Sequence, residues 1–461
     1  MASAASPLGS APRNANPESR ILTDLPRTIG HLGSTALVVG SIIGSGIFLV
    51  PHDVARQVGS VSSMMLVWIV GGILALAGAL SLAELGAAVP EAGGVYVYLR
   101  VAYGKLFAFL YGWAAVAVIE SGGIATLAVA FSIYSTSFFL LTAAQQKLVA
   151  ASIIALLSMV NIAGVRAAAA VQTVFMFAKL SGLAIIVGFV LFAQRVTPVA
   201  SSRPLPTPHT TLSSFGVALI GVLWAYHGWH ELASAAGEVK DPSHVLPRSY
   251  FLGTLLVAVV YLSANLAYLR VLPLATMAQE PYQRVAAKTL EVVWGARGAA
   301  FVSALILCSI FGALNGTILG GARACFAMAR DGVFFASVGR VHPRFGTPAL
   351  AILIQGAWAI LLAVSGTYQQ LYTYVIFTGW LFYAAATFAV VILRRQQPQS
   401  ARPYRVWGYP LLPIAFSVAA LAMVANALAR SPRESGIGLA LVLLGLPVYF
   451  AWSRLAGSGR Q

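Results

Sequence analysis

Two stretches decide how this chain reads: Gly40-Ser41-Ile42-Ile43-Gly44-Ser45-Gly46-Ile47-Phe48 and Gly221-Val222-Leu223-Trp224-Ala225-Tyr226-His227-Gly228-Trp229-His230. Each interrupts a long apolar run. Glycine costs about 1 kcal/mol in a helix relative to alanine and reaches positive φ freely, so clustered glycines invite unwinding. In lipid, unwound backbone leaves peptide groups unpaired at several kcal/mol each. It persists only where it lines a cavity or meets a ligand.

Composition supplies the lipid. Apolar residues fill 59% of the 461 positions and charged residues only 9%, against about 25% charged in a water-soluble globule. Apolar runs begin near Thr35, Ser63, Lys105, Lys147, Val171, Leu212, Tyr250, Ala299, Pro348, Leu371, Leu411 and Ile437. The expected fold is therefore an all-α integral membrane protein of about twelve transmembrane helices. The run ending near Arg330 exceeds what a bilayer needs and is expected to tilt or to extend into water. Residues 1–30, rich in Ser, Ala, Pro and Asn, read as a disordered tail. One membrane domain follows over 31–456, with helices 1–5 at about 35–194, 6–10 at about 212–393 and 11–12 at about 411–453. The Arg195–Pro208 and Arg394–Pro410 loops separate these groups.

The net charge of +16 does not point to nucleic acid, because the basic residues sit in short loops between apolar runs. Alternating sides from a cytoplasmic N-terminus puts 18 Lys and Arg on the cytoplasmic side and 10 opposite. That bias places both termini inside a plasma or inner membrane. Cys308 and Cys325 lie on one predicted helix, too far apart along its axis to form a disulfide.

The interrupted stretches open the first and sixth spans, and together they suggest a ligand. The amides of Gly44, Ser45 and Gly46 start a half-helix and suit a carboxylate. The freed carbonyls of Ser41, Ile42, Trp224 and His227 would accept hydrogen bonds from an ammonium group. A carboxylate and an ammonium one carbon apart make an α-amino acid. The plainer alternative is close helix packing through small residues. A matched break five spans later favours inverted repeats around a midplane site.

Several motifs now become recognisable. Ser41–Pro51, SIIGSGIFLVP, resembles the first-helix motif of the amino acid–polyamine–organocation (APC) superfamily. Leu82–Tyr98 (LAELGAAVPEAGGVYVY) is similar to that family's second helix end and loop. Leu223–Arg248 (LWAYHGWHELASAAGEVKDPSHVLPR) resembles the sixth helix of its L-type amino acid transporter (LAT) branch. Asn315-Gly316, Ala329-Arg330-Asp331-Gly332, His342-Pro343, Thr378–Tyr383 and Arg402-Pro403-Tyr404 follow in family order. The resemblance implies a LeuT-type 5+5 inverted repeat with discontinuous helices 1 and 6. It also implies substrate contacts at Ser41, Ile42, Ile43, Gly44, Ser45, Gly46, Ala225 and His227, with Trp224 as an aromatic gate. No cofactor is implied.

Lys179 lies mid-span, where a charge costs about 2.5–3.5 kcal/mol on insertion scales. The resemblance gives it the place that sodium occupies in related transporters, bridging to a carbonyl near Gly44 and a hydroxyl such as Ser309. Glu120, in the third span, departs from the L-type pattern. It could carry a proton, pair with a basic substrate side chain, or pair with another buried residue. His227, His230 and Glu231 form an H-x-x-H-E run, but the order is not H-E-x-x-H and no distant third ligand is evident, so no metal is expected. Glu84 and Glu91, with Arg100, Arg248 and Arg330, read as an inner charge network.

The resulting expectation is a sodium-independent transporter of neutral L-amino acids, an exchanger or proton-linked. Its partners are the amino acid substrate, the lipid bilayer and protons. Cationic amino acids or polyamines are the alternative substrates, with a non-transporting sensor or an intramembrane metalloenzyme as different classes. Animal L-type members join a heavy chain through a cysteine between spans three and four. Ser135–Lys147 contains none, so no disulfide-linked heavy chain is expected.

Overall fold

The computed structural model describes residues 27, 29–91, 93–192, 210–279 and 284–458. Most of the expected tail and the Arg195–Pro208 loop lie outside the described residues. The first broken helix appears as α1 (His31–Ile42) and α2 (Gly46–Gln57), bent by 41° at Ile43–Ser45. Then come α3 (Val61–Ala88), the short α4 (Val95–Tyr103), α5 (Lys105–Ser135), α6 (Ala143–Ala163) and α7 (Val165–Phe192). A π-turn at Ala115–Ile119 interrupts α5 immediately before Glu120. The second broken helix is α8 (Leu212–Ala225) and α9 (Glu231–Ser234). It is followed by α10 (Pro242–Val271), α11 (Leu274–Met277), α12 (Val285–Arg330), α13 (Ala349–Ser365) and α14 (Tyr368–Gln396). α15 (Leu411–Arg430), α16 (Pro432–Leu443) and α17 (Gly445–Ser458) close the chain.

Among the described residues, nine helical stretches are long and apolar enough to cross a bilayer, or ten with α1 and α2 as one bent crossing. α8 and α13 are apolar but shorter. The helix ending at Arg330 begins well before Ala299, the expected start of the apolar run. α12 turns sharply at Gly295, whose φ of 69° only glycine adopts readily, so its first three turns leave the line of the rest.

Both breaks are narrower than the glycine clusters that announced them. Gly40 and Gly221 stay helical, and the irregular backbone is confined to Ile43–Ser45 and Tyr226–His230. Close approach fixes their location. A β-carbon on Gly46 would fall 2.3 Å from Ala225 Cα, and one on Gly228 would fall 2.6 Å from the Ser41 carbonyl oxygen. Gly228 also holds φ at 110°. The two broken helices therefore touch backbone to backbone. Behind them, Trp68, Tyr226 and Tyr261 pack ring against ring at 5.0–6.1 Å. A β-bridge, Ile29 with Val239, ties the entry to α1 to the segment after α9.

Candidate functional site

The first break is a pair of opposed helix ends. The last carbonyls of α1 form its negative pole, and Lys179 of α7 answers them. Its ammonium donates to Gly40 O at 2.5 Å and to Ile43 O at 2.6 Å, and the residue is 0% exposed. Ser309 of α12 donates to Ile43 O and Gly44 O at 3.4 and 3.3 Å. Lysine and serine thus converge on the Ile43 carbonyl. The positive pole lies opposite: α2 starts at Gly46 and no side chain caps it. Its free amides keep the capacity to bind an anion.

The second break is held differently. Tyr261 of α10 donates its hydroxyl toward both Ile42 O and Ala225 O at 3.0 Å, one carbonyl from each broken helix. The Trp224 carbonyl is taken by the His227 N–H in a turn at 3.0 Å. Two of the four carbonyls expected to face an ammonium therefore already accept an internal bond, and Ser41 O lies against Gly228.

Between the breaks lies a small cavity. Ser41, Ile42, Gly44, Ser45 and Gly46 line one wall, and Trp224, His227 and Gly228 line the other. Gly123 and Thr317 complete the sides, and Glu231 reaches the floor. The Trp224 indole stacks between His227 and Tyr372 at centroid distances of 5.6 and 6.2 Å. Its N–H donates to Tyr368 Oη at 2.9 Å, and that hydroxyl also meets Ser45 Oγ at 3.2 Å. Above the indole, Tyr372 donates to Asp53 at 3.0 Å. A cavity with bare amides on one side and an aromatic lid suits a small zwitterion.

Comparison with known proteins agrees with that geometry. The amino acid permease family matches residues 29–447. The serine/threonine exchanger SteT of Bacillus subtilis (strain 168) is 32% identical over 441 residues, covering 94% of this chain and 98% of its own. This chain belongs to the amino acid permease family. The human large neutral amino acids transporter small subunit 2 is 33% identical over 440 residues, 92% of this chain and 80% of that protein. The mouse b(0,+)-type amino acid transporter 1 is 32% identical over 441 residues, 93% and 88%. The permease is a membrane transporter and not an enzyme, which sets aside the metalloenzyme reading.

Elsewhere in the permease, charged side chains pair with one another. Glu84, 2% exposed, accepts from Arg394 at 2.7 and 2.8 Å and from the Val406 N–H at 2.7 Å. Arg100 joins Glu91 and Asp331, each at 2.7 Å, and Arg323 meets Glu238 at 2.9 Å. Of the five charged residues expected to form an inner network, Glu91 and Arg100 pair with each other, while Glu84 pairs with Arg394 and Arg100 also with Asp331. Tyr261, Tyr368 and Tyr372 were not singled out in the sequence. The Tyr-x-x-x-Tyr spacing of the last two, which puts both rings on one helical face, was the available signal.

The histidine run also separates. His227 belongs to the lid, stacked on Trp224, while His230 and Glu231 turn inward to meet Glu120 of α5. Their nitrogen and oxygen atoms lie within 4.8 Å of one another. A distant third member does exist, and a helix 110 residues upstream supplies it.

Proposed function

We propose that this permease moves neutral L-amino acids across a plasma or inner membrane by alternating access, without sodium, as an exchanger or with protons. The observation that carries the reading is the cavity between two broken helices, with the uncapped start of α2 on one wall and the Trp224 lid above. The substrate carboxylate binds the amides of Gly44–Gly46, and its ammonium binds the remaining lone pairs of Ser41, Ile42 and Ala225 carbonyls. Lys179 supplies the positive charge that sodium would bring, and Ser309 steadies the same loop.

In this reading α8–α9 and α13 are also spans. The domain over 31–456 then has twelve, with a 5+5 inverted repeat before α15 and both termini in the cytoplasm. The 18-to-10 bias of basic residues supports that orientation. The cysteine-free Ser135–Lys147 segment supports function without a disulfide-linked heavy chain. A cationic amino acid or polyamine is the second reading, favoured by the Glu231 carboxyl at the cavity floor.

Uptake into proteoliposomes across the twenty amino acids tests the proposal, varying sodium, the pH gradient and internal amino acid in turn. A neutral substrate, unaffected when choline replaces sodium, is expected. A sodium requirement would remove the role given to Lys179, and preference for lysine or arginine would select the second reading.

A further inference from the structure

The cluster below the cavity is short of positive charge. Glu120 is 5% exposed, and its Oε1 lies 3.5 Å from His230 Nε2, while Glu231 Oε1 lies 3.9 Å from the same nitrogen. An oxygen of one carboxyl lies within 4.8 Å of an oxygen of the other. Two carboxylates have no donor between them, and like charges this close in a dry interior repel strongly. Glu120 Oε2 is buried with no partner.

The surroundings do not repair the deficit. From α12, Arg323 reaches Glu231 electrostatically but is already paired with Glu238, and the Cys325 thiol stands near Glu120. From α14, Tyr383 meets His230 Nε2 at 3.0 Å. Tyr111 on α5 and Tyr250 on α10 add only hydroxyls, and His227 packs against His230 at 4.7 Å. The space for the pair is built in. A β-carbon on Gly320 would fall 2.1 Å from Glu231 Oε2, and one on Gly321 would fall 2.8 Å from Glu120 Cβ.

We propose that Glu120 and Glu231 form a carboxyl pair that binds one shared proton, placed between the substrate cavity and a second chamber below it. Glu231 lines both spaces, and Gly93, Tyr111, Glu120 and His230 line the lower one. Binding forms one O–H bond with a proton taken from chamber water, and release returns it to water. Only water and the pair take part. A resident metal fits less well: Tyr383 occupies His230 Nε2, and His230 Nδ1 has no acceptor, whereas a metal-bound imidazole normally donates its other N–H. The inference rests on the cavity being the transport site for its functional meaning, but not for the existence of the proton.

Two measurements separate those questions. Infrared difference spectroscopy of the purified permease at neutral pH is expected to show the C=O stretch of a protonated carboxyl, lost in both Glu120→Gln and Glu231→Gln. This readout needs no transport. In proteoliposomes, wild-type uptake is expected to fall as rising pH strips the shared proton, approaching at most tenfold per unit for one proton. Each glutamine variant, whose amide is a permanent donor, should give a flat profile whatever its absolute rate. Absence of the infrared band, stoichiometric zinc in the purified protein, or pH profiles unchanged in both variants would overturn the proposal. Retention of the band without uptake of any amino acid would instead count against the transport reading.

Discussion

The two broken helices solve the same problem with opposite chemistry. At α1–α2 a full positive charge, Lys179, is buried against two carbonyls at 2.5 and 2.6 Å, and the opposing helix start is left bare. At α8–α9 the Ala225 carbonyl is met by a neutral hydroxyl instead of an ammonium. A glycine at φ 110°, a turn and one neutral tyrosine hydroxyl hold it open. The first break is an electrostatic device and the second a steric one, so damage to them should differ in kind.

The largest effect is expected where charge is removed. Lys179→Ala takes the ammonium from two buried carbonyls and leaves only the long Ser309 bond at Ile43 O. That is a loss of about 1–3 kcal/mol for each unmet group, and uptake should fall below about a tenth of wild type. If added sodium restored it, the break would need only a cation and not this lysine. Gly228→Ala comes next. Alanine pays about 1–2 kcal/mol for the left-handed backbone, before its β-carbon meets Ser41 O at 2.6 Å. Thermal unfolding should drop together with transport, which distinguishes it from Lys179→Ala. Normal stability in Gly228→Ala would mean that the helices need not touch.

Tyr261→Phe should cost less, about 1 kcal/mol for a lost neutral hydrogen bond, read as a several-fold rise in KM. Its hydroxyl bridges the two breaks, so the variant tests whether they act as one unit. Ser309→Ala should be mildest, under about threefold, because its bonds are long and Lys179 already serves Ile43 O. Equal losses in the serine and lysine variants would show that the hydroxyl carries more than its geometry suggests.

Much of the site was legible in the chain because glycine clusters and a mid-span lysine are costly in lipid and demand an explanation. Lys179 was found by that reasoning, and so were the two breaks. The exact extent of each break was not, since Gly40 and Gly46 both stay helical and the irregular backbone falls between them, at Ile43–Ser45. Tyr261 and Tyr368 were hidden for another reason. A tyrosine in an apolar span reads as core, and only the fold brings its hydroxyl to a carbonyl from another helix. The same holds for Glu120 with Glu231: each carboxyl was visible singly, but their contact arises from tertiary packing.

The central claim is that main-chain groups of two broken helices grip both charges of a zwitterion. Competition for uptake of a transported amino acid by its methyl ester and by its N-acetyl derivative tests this most directly. Neither should compete, because each lacks one charge, while the free amino acid competes fully. An ester or N-acetyl compound competing as well as the parent would contradict the account.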